Sequence, residues 1–314
     1  MILEATMSQL KFIALLGNAD KSILQIEFGD DFHIQEWPTD KFVSFCEKLF
    51  VEDAWFKLEN EWGYGHARQS RQKHVYVVVK EYKDFPNPYD KNDDSPDKWH
   101  MRLAFEDIEN SYLNDKITKL RLCAEGSINL CAQYYYRENK GEIDMESASE
   151  EMLFCESRLF KIKKSELNKI NAFLKTPPLR PKHTYVRFAL ENFLESYRVA
   201  HIELEFVISM IALETLFNDG KQELRYKISR SCAVLLGKTK NDSKEIYKNL
   251  RELYDKRSTL VHTGDKSTVN QTDALRLKAY VRRSLFKILG LNLTKQDLAM
   301  KLTEHGFGSF RRIS

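Results

Sequence analysis

The stretch KTPPLRPKHT (175–184) constrains this chain most. It sets three prolines, Pro177, Pro178 and Pro181, within five residues. Each removes a backbone donor and fixes its own φ, so neither a helix nor a central strand can run through. A stiff, polar connector results, and it places a domain boundary near residue 179. Residues 1–179 carry 24 Lys and Arg against 31 Asp and Glu, a balance of −7; residues 180–314 carry 25 against 15, a balance of +10. The second part is the one that would attract a polyanion.

Before the connector the pattern is β-rich. KHVYVVVKEY (73–82) is a β-branched run. KLRLC (119–123) and SINLCAQYYYR (127–137) alternate apolar and polar, and AEGS (124–127) between them suggests a hairpin turn. MLFCESRLFKI (152–162) is a further candidate strand. Helices are expected at 39–51, with Thr39 as a cap, and at 164–175. The tyrosines at 134–136 are expected to pack across strands.

After the connector everything is helical in pattern: 184–199, 201–217, 221–237, 243–262, 271–290 and a short segment at 294–304. Breaks fall at NDG (218–220), Gly237, Gly264 and Gly290. FVISMIALETLF (206–217) is apolar almost all round, which places it centrally in a bundle. The expected class is therefore α+β: a β-rich α+β N-terminal domain (1–178), then an all-α helical bundle (179–314).

Several chemistries are excluded. Five scattered cysteines (Cys46, Cys123, Cys131, Cys155, Cys232) form no C-x-x-C pair, as expected for reduced thiols in a cytoplasmic protein. Neither a secretory leader nor a membrane span is expected. LGKTK (236–240) holds the GKT of a phosphate loop, but Cys232 stands where the loop needs glycine, and a helix precedes it. DKNDDSPDKWH (90–100) begins like a calcium loop, yet has Ser95 at the glycine position and Met101 at the twelfth; a solvated acidic loop is expected. H-E-x-x-H and G-x-S-x-G are absent. No metal and no cofactor is expected.

LYDKRSTLVHTGD (253–265) carries the chemistry. Ile246, Leu250, Leu253, Leu260 and Val261 are the apolar positions of an amphipathic helix, and Arg257 completes their 3–4 spacing where an apolar residue belongs. A guanidinium there needs a carboxylate or a cleft that receives an anion. Glu214, a lone acid in the apolar helix, is a candidate partner. His262 follows five residues later, ~140° around the axis at ~100° per residue. The pair can meet on one ligand only if the helix ends or distorts between them, or if two copies of the chain face each other. An arginine and a histidine suit RNA cleavage by the ribose 2′-OH: a neutral imidazole takes the proton, and the guanidinium holds the scissile phosphate. The product would end in a 2′,3′-cyclic phosphate. A second Arg-to-His spacing, Arg68 to His74 in RQSRQKH, lies in the acidic part and leads into a strand; it is taken as chance.

Three blocks in order, ALETLF (212–217), ELRYKISRSCAVLLG (223–237) and LYDKRSTLVHTG (253–264), resemble the HEPN domain, specifically the Apea-like branch of HEPN ribonucleases. The resemblance covers about 184–290. It implies a helical bundle that dimerises, with two R-x4-H motifs meeting in a composite cleft, and metal-independent endoribonuclease activity of the kind found in toxins and anti-phage defence. It carries Arg257 and His262 over as catalytic and Ser258 as a helper. Glu214, Arg230, Lys256 and Tyr254 are supporting or substrate-binding candidates, with Arg230 expected to brace Arg257. The implied partners are RNA, a second copy of the chain, and a regulatory protein or phage-derived trigger acting through residues 1–178. A bundle of this family without catalysis, binding RNA or a protein, is the alternative.

Overall fold

A computed structural model describes residues 9–62, 64, 73–82, 96–151, 159–218, 220 and 223–309. The chain divides into two compact units, Met1–Pro178 and Leu179–Ser314.

The first unit is built on a five-stranded antiparallel sheet of order β2-β3-β1-β4-β5. The strands are β1 (Leu10–Gly17), β2 (His33–Pro38), β3 (His74–Tyr82), β4 (Asn129–Asn139) and β5 (Glu142–Glu150). Helices α1 (Thr39–Lys48) and α2 (Ala54–Asn60) serve one face, α3 (Pro96–Cys123) and α4 (Leu167–Leu174) the other. Phe12, Ala14 and Leu16 of β1 point to the α3 side, among Leu113, Ile117 and Leu120. Ile13 and Leu15 point to the α1 side, among Phe42, Phe45 and Leu58. A central strand covered on both faces is apolar at nearly every position, and LKFIALLG is that run. The three tyrosines divide likewise, Tyr135 to the α3 side and Tyr134 and Tyr136 to the α1 side, all buried.

The expectations for this unit need three corrections. KLRLC is the last turn of α3, and no hairpin joins it to β4. Its short alternation belongs to a longer helical stripe, Phe105, Leu113, Ile117, Leu120, which a five-residue window does not show. The hairpin is instead β4–β5, which turns at Lys140 and Gly141, both at positive φ. Residues 96–100 of the acidic segment are helical, and Thr39 is the first residue of α1 with Pro38 as its cap. The segment 83–95, most of the candidate strand at 152–162, Cys155 and Arg68 lie outside the described residues.

The second unit is all helix: α5 (Thr184–Glu195), α6 (Ile202–Phe217), α7 (Leu224–Leu236), α8 (Lys240–Thr263), α9 (Gln271–Leu291) and α10 (Lys295–Glu304). Side chains of Thr239, Asn270 and Thr294 cap α8, α9 and α10 by accepting backbone N–H groups. Gly264 ends α8 in the left-handed conformation that glycine adopts without a Cβ penalty. Gly290 does not stop α9, which runs to Leu291 with left-handed Asn292 as its cap. Helix α6 packs against every other helix of the unit. Its burial is nonetheless one-sided: Phe206, Met210, Leu213 and Phe217 are buried, while Leu204, Val207, Ile208 and Ile211 are exposed or half-exposed. Among the described residues no helix is long and apolar enough to cross a membrane.

Candidate functional site

Helix α8 inserts Ile246, Leu250, Leu253 and Leu260 into the bundle core. Arg257 shares that stripe and reaches α6, where its Nη2 lies 3.5 Å from Glu214 Oε1. The contact is an ion pair at the long end of hydrogen-bond range. Glu214 Oε1 and Arg257 Nε are both buried atoms with no hydrogen-bond partner among the described residues. The two side chains stay 19% and 23% exposed, so the pair opens to solvent on one side. Burial pushes the Glu214 carboxyl above its ordinary pKa, and the Arg257 charge only partly reverses this. Tyr254, one turn before Arg257, completes the group: its phenol is raised by burial and by the Glu214 charge, and lowered by Arg257. The result is a guanidinium held at the rim of the core with donor capacity left over, beside a carboxylate that gains little from being charged.

His262 stands on another face. Helix α8 runs unbroken through both residues to Thr263, with the Gly264 N–H bonded to the Leu260 carbonyl at 3.0 Å. The helix therefore neither ends nor distorts between them. Their side chains diverge by ~140° and sit ~7.5 Å apart along the axis. His262 is exposed. Ser258, half-buried, precedes it by one turn and belongs to its side of the helix. Within one chain, then, the two side chains do not converge on one point.

The other candidates go elsewhere. Lys256 forms an ion pair with Asp273, the acid of the α9 capping box, and so ties α8 to the start of α9. Arg230 does not brace Arg257. Its guanidinium donates to the carbonyls of Leu302 at 2.8 Å, Thr303 at 3.3 Å and His305 at 3.0 Å, and holds the C-terminal end of α10. A cation is well placed against those free carbonyls, and that local demand takes the arginine. The structure thus gathers Glu214, Tyr254 and Arg257 at one place, sets Ser258 and His262 on an adjacent face, and gives Lys256 and Arg230 to the frame.

Sequence reasoning passed over a second ion pair. Lys278 of α9 meets Glu205 of α6 at 2.6 Å, donates to the Ser196 carbonyl at 3.1 Å and lies 4.0 Å from the centre of the Tyr197 ring. The signal was present, because Lys278 interrupts an apolar stripe just as Arg257 does. Also unforeseen is an open cavity of about 1130 Å³ in the first unit, whose lining includes Lys11, Trp37, Lys41, Lys48, Lys80 and Glu109. Lys11 is paired there with Glu138 and Lys80 with Asp30 and Glu109, while Lys41 lies over the Trp37 ring. Among the described residues no cluster of His, Cys, Asp and Glu could hold a metal ion.

No protein-family model, no curated protein and no solved structure matches the chain.

Proposed function

We propose that the protein is a metal-independent endoribonuclease whose second unit is a HEPN-like bundle acting as a homodimer. One observation carries the reading: the apolar face of α6 that a single chain leaves only partly covered. Leu204, Val207, Ile208 and Ile211 recur at helical spacing along it, and the same face continues to Glu214, where Arg257 meets it. Apolar side chains left exposed or half-buried along one face suit a partner surface. A second copy packed there would exclude water from the Glu214–Arg257 pair and bring two Arg257 residues to one seam. Each copy would then supply what the divergence of Arg257 and His262 denies a single chain.

The chemistry follows from the side chains. His262, in its neutral form, takes the proton from a ribose 2′-OH. The oxygen attacks the adjacent phosphorus, and the 5′-oxygen leaves with a proton returned from an imidazolium. Arg257 steadies the charge that gathers on the phosphate oxygens. The balance of +10 in the second unit draws in the RNA, so binding weakens steeply with salt. The first unit would be the regulatory part, because an unregulated nuclease of this kind would harm its host; a toxin or defence role belongs to the same proposal.

A second reading rests on a specific contact. Glu214 engages Arg257 within its own chain, which suits a non-catalytic bundle that binds RNA or a protein, or a nuclease held inactive. Ile211→Lys separates these. The nuclease reading expects a wild-type dimer by analytical ultracentrifugation, and an Ile211→Lys monomer that no longer cuts RNA. A wild-type monomer that cuts, or a monomeric variant that cuts equally well, would contradict it.

A further inference from the structure

The outer face of α8 carries more than His262. At ~100° per residue, Lys244, Tyr247, Arg251, Ser258 and His262 fall within an arc of about 60°. They form a stripe from the first turns of the helix to its end. Tyr247 anchors an aromatic cluster at the far end of the stripe. Its ring is 6.4 Å from that of Tyr226 on α7 and 5.7 Å from that of Phe307, which follows α10. The Arg251 guanidinium lies over the same ring, 5.6 Å from its centre. Tyr226 is 50% exposed. An exposed tyrosine beside the half-buried rings of Tyr247 and Phe307, with an arginine over one of them, offers a flat face and positive charge together.

The acids nearby do not cancel that charge. Asp255 is paired with Arg225, and Glu252 has Lys248 within 3.9 Å. Lys244 is exposed on the stripe. A ligand for such a surface has flat rings to stack and anionic groups at regular spacing. Duplex nucleic acid hides its base faces, whereas a single strand presents them. The distance from Tyr247 to His262 along the axis is ~22 Å, the length of about six stacked nucleotides at ~3.4 Å each.

We propose that the Tyr226–Tyr247–Phe307 cluster and Arg251 form a single-stranded RNA platform, from which the strand runs along the outer face of α8 to His262. The choice of RNA rests on the ribonuclease reading; the platform itself rests on the cluster and the stripe. Bases stack at the tyrosines, Arg251 and Lys244 meet phosphates, and sequence is read weakly, because every base has a face to stack.

The test is equilibrium binding of a short fluorescein-labelled 2′-O-methyl RNA, which has no free 2′-OH and cannot be cut, followed by anisotropy with the full-length protein. Tyr226→Ala and Tyr247→Ala should each weaken binding of the single strand by roughly fivefold to a hundredfold. Tyr247→Phe should restore it. Arg251→Gln should lower the slope of log affinity against log salt by about 0.7. The same RNA as a duplex should bind more weakly than the single strand and be indifferent to the tyrosine substitutions. Circular dichroism checks that each variant is folded, and the exposed Tyr226 gives a variant that does not depend on the packing of Tyr247. Equal binding of single strand and duplex, binding unaffected by Tyr226→Ala, or no binding of single-stranded RNA by wild type would each overturn the platform. Intact, tyrosine-dependent binding without cleavage of ordinary RNA would refute the nuclease reading and leave the platform standing.

Discussion

Two acids on one apolar helix meet two cations in opposite ways. Glu205 lies buried in the bundle and Glu214 at its rim, and each faces a basic residue on a neighbouring helix. Glu205 has Lys278 at 2.6 Å, and those side chains are 4% and 10% exposed. The lysine is further satisfied by a backbone carbonyl and a tyrosine ring. Glu214 has Arg257 at 3.5 Å, both stay partly open, and each leaves a buried polar atom without a partner. The first pair is closed in geometry and in hydrogen bonding, as a structural pair must be to offset the desolvation of two charges. The second leaves donors and acceptors over, as a site that has to receive something does. The same residue types in the same kind of stripe therefore differ in role because they differ in satisfaction.

The sharpest way to break this contrast is stability. Lys278→Ala strands the Glu205 carboxylate inside the bundle and should cost ~3–5 kcal/mol by urea denaturation. Arg257→Ala should cost about 1 kcal/mol, because the lost contact is loose and the remaining carboxylate can reach water. Equal losses would mean that the two pairs are not different in kind.

Their response to pH sharpens the contrast further. The raised pKa of Glu214 means that the folded state holds its proton more tightly than the unfolded chain does. Its contribution to stability is therefore fully present below the ordinary carboxyl range and is lost as pH rises through the higher folded value. Glu214→Gln should remove that fall, giving a flatter stability curve across weakly acidic pH in denaturation series. A curve no flatter than wild type would place the desolvated charge elsewhere.

The smallest effect concerns the end of α8, which sets where His262 stands. Gly264→Ala meets no steric neighbour, so its cost is that of a left-handed alanine alone, about 1 kcal/mol in Tm-derived stability. A much larger loss would mean that more than the helix end depends on this residue.

Much of this architecture was legible in the sequence. All six helices of the second unit fall within a few residues of their expected spans, because most have a 3.6-residue apolar pattern, α6 is a long apolar run, and three of the six have a capping side chain. The first unit was read less well. β1 is apolar at almost every position and lacks the alternation that marks a half-covered strand. β5 is an edge strand in which acidic residues and serines outnumber Ile143, Met145 and Ala148, a composition that discourages an edge from pairing with other chains. In the bundle, Arg257 was found because it interrupts an apolar stripe, and Glu214 because it is isolated in an apolar helix. Arg230 was assigned to the wrong neighbour: sequence shows that a charge needs a partner but not which carbonyls lie within reach. The stripe joining Tyr247 to His262 was readable from spacing alone. Phe307, which completes the aromatic cluster, comes from the far side of two helices and was not.

The central claim is that Arg257 and His262 cut RNA without a metal. Its most direct measurement incubates purified protein with mixed RNA in EDTA, wild type beside Arg257→Ala and His262→Ala, and analyses the product ends. The account predicts cleavage by wild type leaving 2′,3′-cyclic phosphates, with rates reduced ~10²-fold or more in both variants. Equal cleavage by all three proteins, or products with other ends, would contradict it.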